Sequence, residues 1–146
     1  MTAAGIILAA GNGTRMKSNL PKILHKVAGV ALVGHAVRTM RIAGIEDINV
    51  VVSSDLSDAA GLYEALLPRV RVSVQAEQLG TANALQAARS EVTGADTIIV
   101  APADVVLVTG ELVRQLLDHH ITLNSLATVL GARVDDPTGL GRIKLD

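Results

Sequence analysis

Residues 3–10 read AAGIILAA, an apolar run that ends abruptly at Gly11, Asn12 and Gly13. The run is far shorter than the roughly 18 to 20 apolar residues needed to cross a bilayer. It also lacks the basic segment that precedes the core of a signal peptide. Because it shows no alternation of polar and apolar residues, a strand here has to be covered on both faces, as an interior strand of a parallel sheet is. The rest of the chain follows the same plan. Short Ile- and Val-rich runs predict strands over residues 5–9, 48–53, 70–74, 97–101 and 126–134, and segments of helical spacing lie between them. Leu32, Val33, Ala36, Val37 and Met40 mark one face of a helix over residues 31–43, with Gly44 as its C-cap. Further helices are expected over residues 57–67, over 82–88 with Thr81 as N-cap, and over 110–119 with Thr109 as N-cap. The expected fold is a Rossmann-like α/β domain, with a mostly parallel central sheet and helices on both faces.

Composition limits the function classes. The 146 residues make one domain, 1–146, large enough to bury roughly two thirds of the surface its unfolded form exposes. A net charge of −1, from 13 basic and 14 acidic residues spread along the chain, provides no basic field for a nucleic-acid backbone. With no cysteine, a metal has to be held by oxygen or histidine, and His25, His35, His119 and His120 share no ligand spacing. The core, lacking Phe and Trp, has to be built from Val, Ile, Leu and Ala. No membrane partner is expected, and the location expected is cytoplasmic. The last residues, GRIKLD, follow a turn signal at 137–141 as though another strand were starting. The sheet is therefore expected to be incomplete at its C-terminal end, with an exposed apolar edge suited to a homo-oligomer.

The chemistry concentrates in LAAGNGTRMKSNLPKIL, residues 8–24. A buried strand runs into Gly11 and Gly13, where φ > 0 and a close approach of backbone to ligand are expected, so that several N–H groups converge on phosphate oxygens. Arg15, Lys17 and Lys22 follow within a short span. Arg15 offers a planar fork to phosphate and Lys22 a compact charge, with Pro21 stiffening the backbone before it. A P-loop is absent, and Met16 stands where a dinucleotide fingerprint needs its third glycine. The competing reading is a surface turn with solvated basic residues. Asp104 follows an apolar strand at the carboxyl end, where open α/β sheets bind ligands, and a single carboxylate there suits Mg²⁺. Its alternative is a strand-end turn. Gln75 and Gln78 can be solvated loop residues, Thr81 a plain cap, and Gly141 part of a tight turn.

The run from 8 to 24 is similar to the signature of bacterial N-acetylglucosamine-1-phosphate uridyltransferases, the uridylyl-transferring part of the bifunctional enzyme that makes UDP-N-acetylglucosamine. HKVAG (25–29), QAEQLGTANA (75–84), Asp104 and DPTGLGRI (136–143) extend the resemblance over nearly the whole chain. The resemblance implies a nucleotidyltransferase domain in which Leu8, Ala9, Ala10, Gly11 and Gly13 hold the nucleotide. It implies that Arg15 and Lys22 act on the phosphates, that Gln75, Gly80 and Thr81 hydrogen-bond uracil, that Asp104 binds Mg²⁺, and that Gly141 contacts the acceptor sugar. The implied substrates are UTP and N-acetylglucosamine 1-phosphate, and the β-helix acetyltransferase domain of the bifunctional enzyme has no counterpart in these residues. Four places depart from the pattern: Pro102 and Ala103 replace Tyr-Gly, Asn83 replaces a histidine, Leu140 replaces a tyrosine, and Val30 and Ala31 replace Lys-Pro. A related cytidylyl- or guanylyltransferase, or a nucleotide-binding module without turnover, is the alternative.

Overall fold

The computed structural model describes residues 1–11, 13, 16–58, 62, 66 and 68–143. Strand β1 (Ala3–Leu8) is interior, with Ala4, Ile6 and Ile7 almost fully buried, as its apolar run requires. A two-stranded hairpin of β2 (Lys26–Val27) and β3 (Val30–Ala31) follows. Its turn uses left-handed backbone at Ala28 and Gly29, with φ of 49° and 80°. Helix α1 (Leu32–Ile42), strand β4 (Asp47–Ser53), the short helix α2 (Ser54–Ser57) and strand β5 (Val70–Gln75) come next. Helix α3 (Thr81–Ala87), strand β6 (Thr97–Pro102) and helix α4 (Gly110–Thr122) complete the order.

The four long strands form one parallel sheet in the order β5-β4-β1-β6. The chain moves outward from β1 through β4 to β5, then returns to place β6 on the other side of β1. That reversal creates a switch point at the carboxyl ends of the strands, where adjacent connections leave in opposite directions and a crevice opens.

Helices cover both faces. Ile7, Ile48, Val50 and Val52 pack against Val33, Val37 and Met40 of α1 and Val113 and Leu117 of α4. Ala4, Ile6 and Val51 point the other way, against Ala84 of α3 with Ala88 and Val92 beyond it. The strand period of two sends alternate residues to opposite faces, so a strand apolar at every position serves both layers. Each fully buried Val, Ile or Met contributes about 1.5–3 kcal/mol relative to exposure. Gly44 ends α1 with φ +86°, its N–H donating to the Arg41 carbonyl at 2.9 Å. Thr109 caps α4 as expected, its Oγ1 accepting from the Leu112 N–H at 3.2 Å. Gly110 allows α4 to lie close on α1, because a Cβ there would sit 2.4 Å from the Cβ of Ile42.

Two expectations are corrected. Residues 126–134 form no strand: Leu126 and Val129 are 105% and 72% exposed, and no described strand runs beside them. An isolated extended segment leaves its backbone groups to water, so apolar composition alone does not make a strand. Thr81 is the first helical residue of α3 rather than its cap. Gly80, with φ +98°, occupies the cap position, which is easily reached without a Cβ, and no side chain caps the helix. Of the helix expected over 57–67, residues 59–61, 63–65 and 67 lie outside the described residues; the short α2 that precedes them ends at Ser57. Among the described strands β6 stands at one end of the sheet, and its Ile98 and Val100 are exposed. Among the described residues no helix is long and apolar enough to cross a membrane.

Candidate nucleotide site

The crevice at the switch point is a cleft of about 390 Å³, within the range of roughly 300–1,000 Å³ in which small-molecule sites fall. One wall is the end of β1 and the backbone that follows it: Leu8, Ala9, Ala10 and Gly11. This segment is pinned on both sides. The Ala9 N–H donates to the Val51 carbonyl at 2.8 Å, and the Leu8 carbonyl accepts from the Ala103 N–H at 2.9 Å. A backbone tied to both neighbouring strands stays in place while a ligand lies against it. The opposite wall holds Gln75 at the end of β5, then Gly80, Thr81 and Ala84 at the start of α3.

Lys22 and Asp104 stand together in the cleft, eighty-two residues apart in sequence, and form an ion pair. Local structure places each of them. The 3-10 turn Lys22–Leu24 buries Ile23 and Leu24, which anchors its backbone and leaves the lysine at the cleft. Gly13, with φ +57°, passes so close that a Cβ on it would lie 2.6 Å from the Lys22 Cβ. That contact gives Gly13 a packing reason for lacking a side chain, besides its left-handed backbone. The expectation of φ > 0 does not hold at Gly11, where a Cβ would meet open space. Asp104 follows β6 directly, after the buried Ala103. The hydrogen bond from Lys22 holds the Asp104 carboxyl below its ordinary range, outweighing the opposing effect of partial burial.

Gln75 is not a solvated loop residue. It is 4% exposed, and its Nε2 donates to the Asn83 Oδ1 at 2.7 Å and to the Gly80 carbonyl at 3.3 Å. Of the residues singled out from sequence, the structure brings Leu8, Ala9, Ala10, Gly11, Lys22, Gln75, Gly80, Thr81 and Asp104 to one cleft. Gly141 lies apart in the exposed C-terminal segment. Arg15 lies outside the described residues. Ile23 and Ala84 also line the cleft and were not expected there; Gln78 and the departing pair Pro102 and Ala103 line it as well. Ala84 stands three residues after Thr81 on the same helical face, a spacing that could have found it.

Backbone at the end of the first strand pinned along one wall, a polar wall at the end of β5 and a lysine–aspartate pair in the same cleft fit a nucleotidyltransferase-type domain. Residues 5–139 match the MobA-like NTP transferase domain, and the chain belongs to that family. It is 40% identical over 146 residues to the bifunctional protein GlmU of Clostridioides difficile strain 630, covering 100% of this chain and 31% of that protein. This agrees with the resemblance read from the sequence, and the chain spans 31% of that relative's length. The fold is shared with the UDP-glucose pyrophosphorylase of Acinetobacter baumannii, at a TM-score of 0.69 and 21% identity over 86% of this chain and 54% of that one. It is shared too with the manganese complex of Rv0371C from Mycobacterium tuberculosis H37Rv, at a TM-score of 0.63 and 22% identity, covering 80% of this chain and 58% of that one.

Proposed function

We propose that the cleft binds UTP, and that the chain serves transfer of a uridylyl group to N-acetylglucosamine 1-phosphate, giving UDP-N-acetylglucosamine and pyrophosphate. The observation that carries this reading is the convergence on one cleft of the pinned Leu8–Gly11 backbone, the Lys22–Asp104 pair and the buried Gln75 amide. The 40% identity to GlmU supports the choice of uridine and of the sugar phosphate.

The reaction is an in-line displacement. A phosphate oxygen of the sugar 1-phosphate attacks the α-phosphorus of UTP, a new P–O bond forms, and the bond to the β-phosphate oxygen breaks with its electrons leaving on pyrophosphate. No side-chain nucleophile is needed, so the protein contributes position and charge. Leu8, Ala9, Ala10, Gly11 and Gly13 hold the nucleotide. Lys22 exchanges its Asp104 partner for phosphate oxygen, and Arg15 offers a bidentate contact. Gln75, Gly80 and Thr81 read the base, and Gly141 is assigned to the acceptor sugar.

Mg²⁺ fits this donor set. Among the described residues no three His, Cys, Asp or Glu side chains come together for a metal, so Asp104 would supply one carboxylate and the nucleotide phosphates and water the rest. When bound, the ion would offset charge on the phosphates. The manganese complex of the Rv0371C relative is consistent with a divalent ion in this fold.

The test is pyrophosphate release from UTP, Mg²⁺ and N-acetylglucosamine 1-phosphate by the 146-residue chain, with Arg15→Ala as control. Release lost in the control supports the transferase. UTP binding without release makes this a nucleotide-binding module, and absence of binding overturns the reading.

A further inference from the structure

Residues 25–29, HKVAG, carry part of the resemblance, yet none of them lines the cleft. The first of them, His25, is tied to the turn that carries Lys22. Its Nε2 lies 3.1 Å from the Leu20 carbonyl oxygen. A carbonyl oxygen only accepts, so this nitrogen carries a hydrogen and donates it. The ring thereby closes a loop from Leu20 to His25, with Pro21, Lys22, Ile23 and Leu24 inside it.

The two sides of Lys22 are anchored differently. Downstream, Ile23 and Leu24 are buried and hold their part of the chain in the core. Upstream, residues 16–20 are all exposed, so no buried side chain fixes the approach to Pro21. Leu20 is held by polar contacts instead. Its N–H donates to Ser18 Oγ at 3.1 Å, within the same exposed segment, and its carbonyl accepts from His25. His25 is itself well placed: its N–H donates to the Lys22 carbonyl at 3.2 Å, and its carbonyl accepts from the N–H of Leu32, the first residue of α1, at 3.0 Å. Helix α1 is seated in turn by the fully buried Val33 and Val37. We propose that His25 is a positioning residue for Lys22: by fixing the Leu20 carbonyl to α1, it holds the lysine where the phosphates meet it. The proposal rests on the reading above that Lys22 acts on the phosphates of UTP. His25 reaches the nucleotide only through that lysine, so its effect has to vanish when the lysine charge is removed.

The experiment titrates UTP, with Mg²⁺, into the full 146-residue chain and follows amide chemical shifts by NMR, which reads dissociation constants into the millimolar range. The wild type is compared with His25→Ala, His25→Gln, Lys22→Met and the double variant Lys22→Met/His25→Ala, and the same spectra show that each is folded. Should alanine unfold the chain, His25→Ser, too short to reach Leu20, takes its place. His25→Ala is expected to raise the UTP dissociation constant about fivefold, the effect of one neutral hydrogen bond. His25→Gln, whose amide nitrogen can donate near the place of Nε2, is expected to recover most of that loss. Beside Lys22→Met, His25→Ala is expected to cause no further loss. A loss that persists undiminished beside Lys22→Met, or a wild-type constant in His25→Ala, overturns the proposal and leaves the nucleotide site standing. Unchanged UTP affinity in Lys22→Met, or absent binding by the wild type, overturns the reading of Lys22 itself, and that failure is visible before His25 is changed.

Discussion

Asn49 sits in the middle of β4 with 0% exposure, between Ile6 of β1 and Arg71 of β5 in register. Neither its Oδ1 nor its Nδ2 has a hydrogen-bond partner among the described residues. A buried, unpartnered polar group costs about 1–3 kcal/mol, whereas an apolar group of similar shape carries no such penalty. Leucine has the branching of asparagine with methyls in place of the amide atoms, and it would share its face with the apolar Val51 and Ile6. Asn49→Leu is therefore expected to stabilise the chain by about 2 kcal/mol. Unfolding entropy of about 2.1 cal/mol/K per residue gives ~0.3 kcal/mol/K for a chain of this length, so Tm should rise by about 6 °C. Urea unfolding followed by circular dichroism makes the same measurement independently. The midpoint should rise by about 1 M with an unchanged slope, for a slope near 2 kcal/mol/M. A loss of 1 kcal/mol or more would refute the reasoning, because it would mean that the amide is satisfied in the folded protein.

Two further outcomes follow from the site and the helix interface. Lys22 depresses the Asp104 pKa, so the pair's contribution is present above the unfolded carboxylate value and lost as pH falls through the lower folded value. Both side chains are about one-third exposed, at 31% and 38%, so Asp104→Asn should lower stability at pH 7 by less than ~1 kcal/mol, with the difference closing in acid; thermal melts at the two pH values check this. Gly110→Ala would place a Cβ 2.4 Å from that of Ile42 and 2.9 Å from the Thr39 carbonyl. Overpacking of this kind costs about 1–3 kcal/mol, which exceeds the gain of up to ~1 kcal/mol from replacing glycine in a helix, so the urea midpoint should fall.

That Leu8–Gly11 and Lys22 share the cleft was legible because its determinants are local. Gly11 and Gly13 follow a buried strand, Pro21 precedes Lys22, and the spacing is short enough that no long-range contact is needed to bring them together. The same holds for the cap at Thr109, where a side chain satisfies an N–H three residues on. Residues 126–134 were misread because apolar composition resembles a strand whether or not a neighbouring backbone is available to pair with it. Gln75 was ambiguous for a related reason: a glutamine at the end of a strand looks solvated until the following helix turns Asn83, 8 residues on, toward it.

By itself the sequence determined the α/β class, the strands β1, β4, β5 and β6 and the Leu8–Gly11 backbone that lines the cleft. Periodicity, glycine and proline act within a few residues of where they stand. Only the tertiary structure decided the order β5-β4-β1-β6, the ion pair between Lys22 and Asp104 and the orientation of the Gln75 amide. These depend on which strand lies beside which and on which acceptor faces a given nitrogen. Such relations join residues far apart in the chain and arise only when both faces of the sheet are packed.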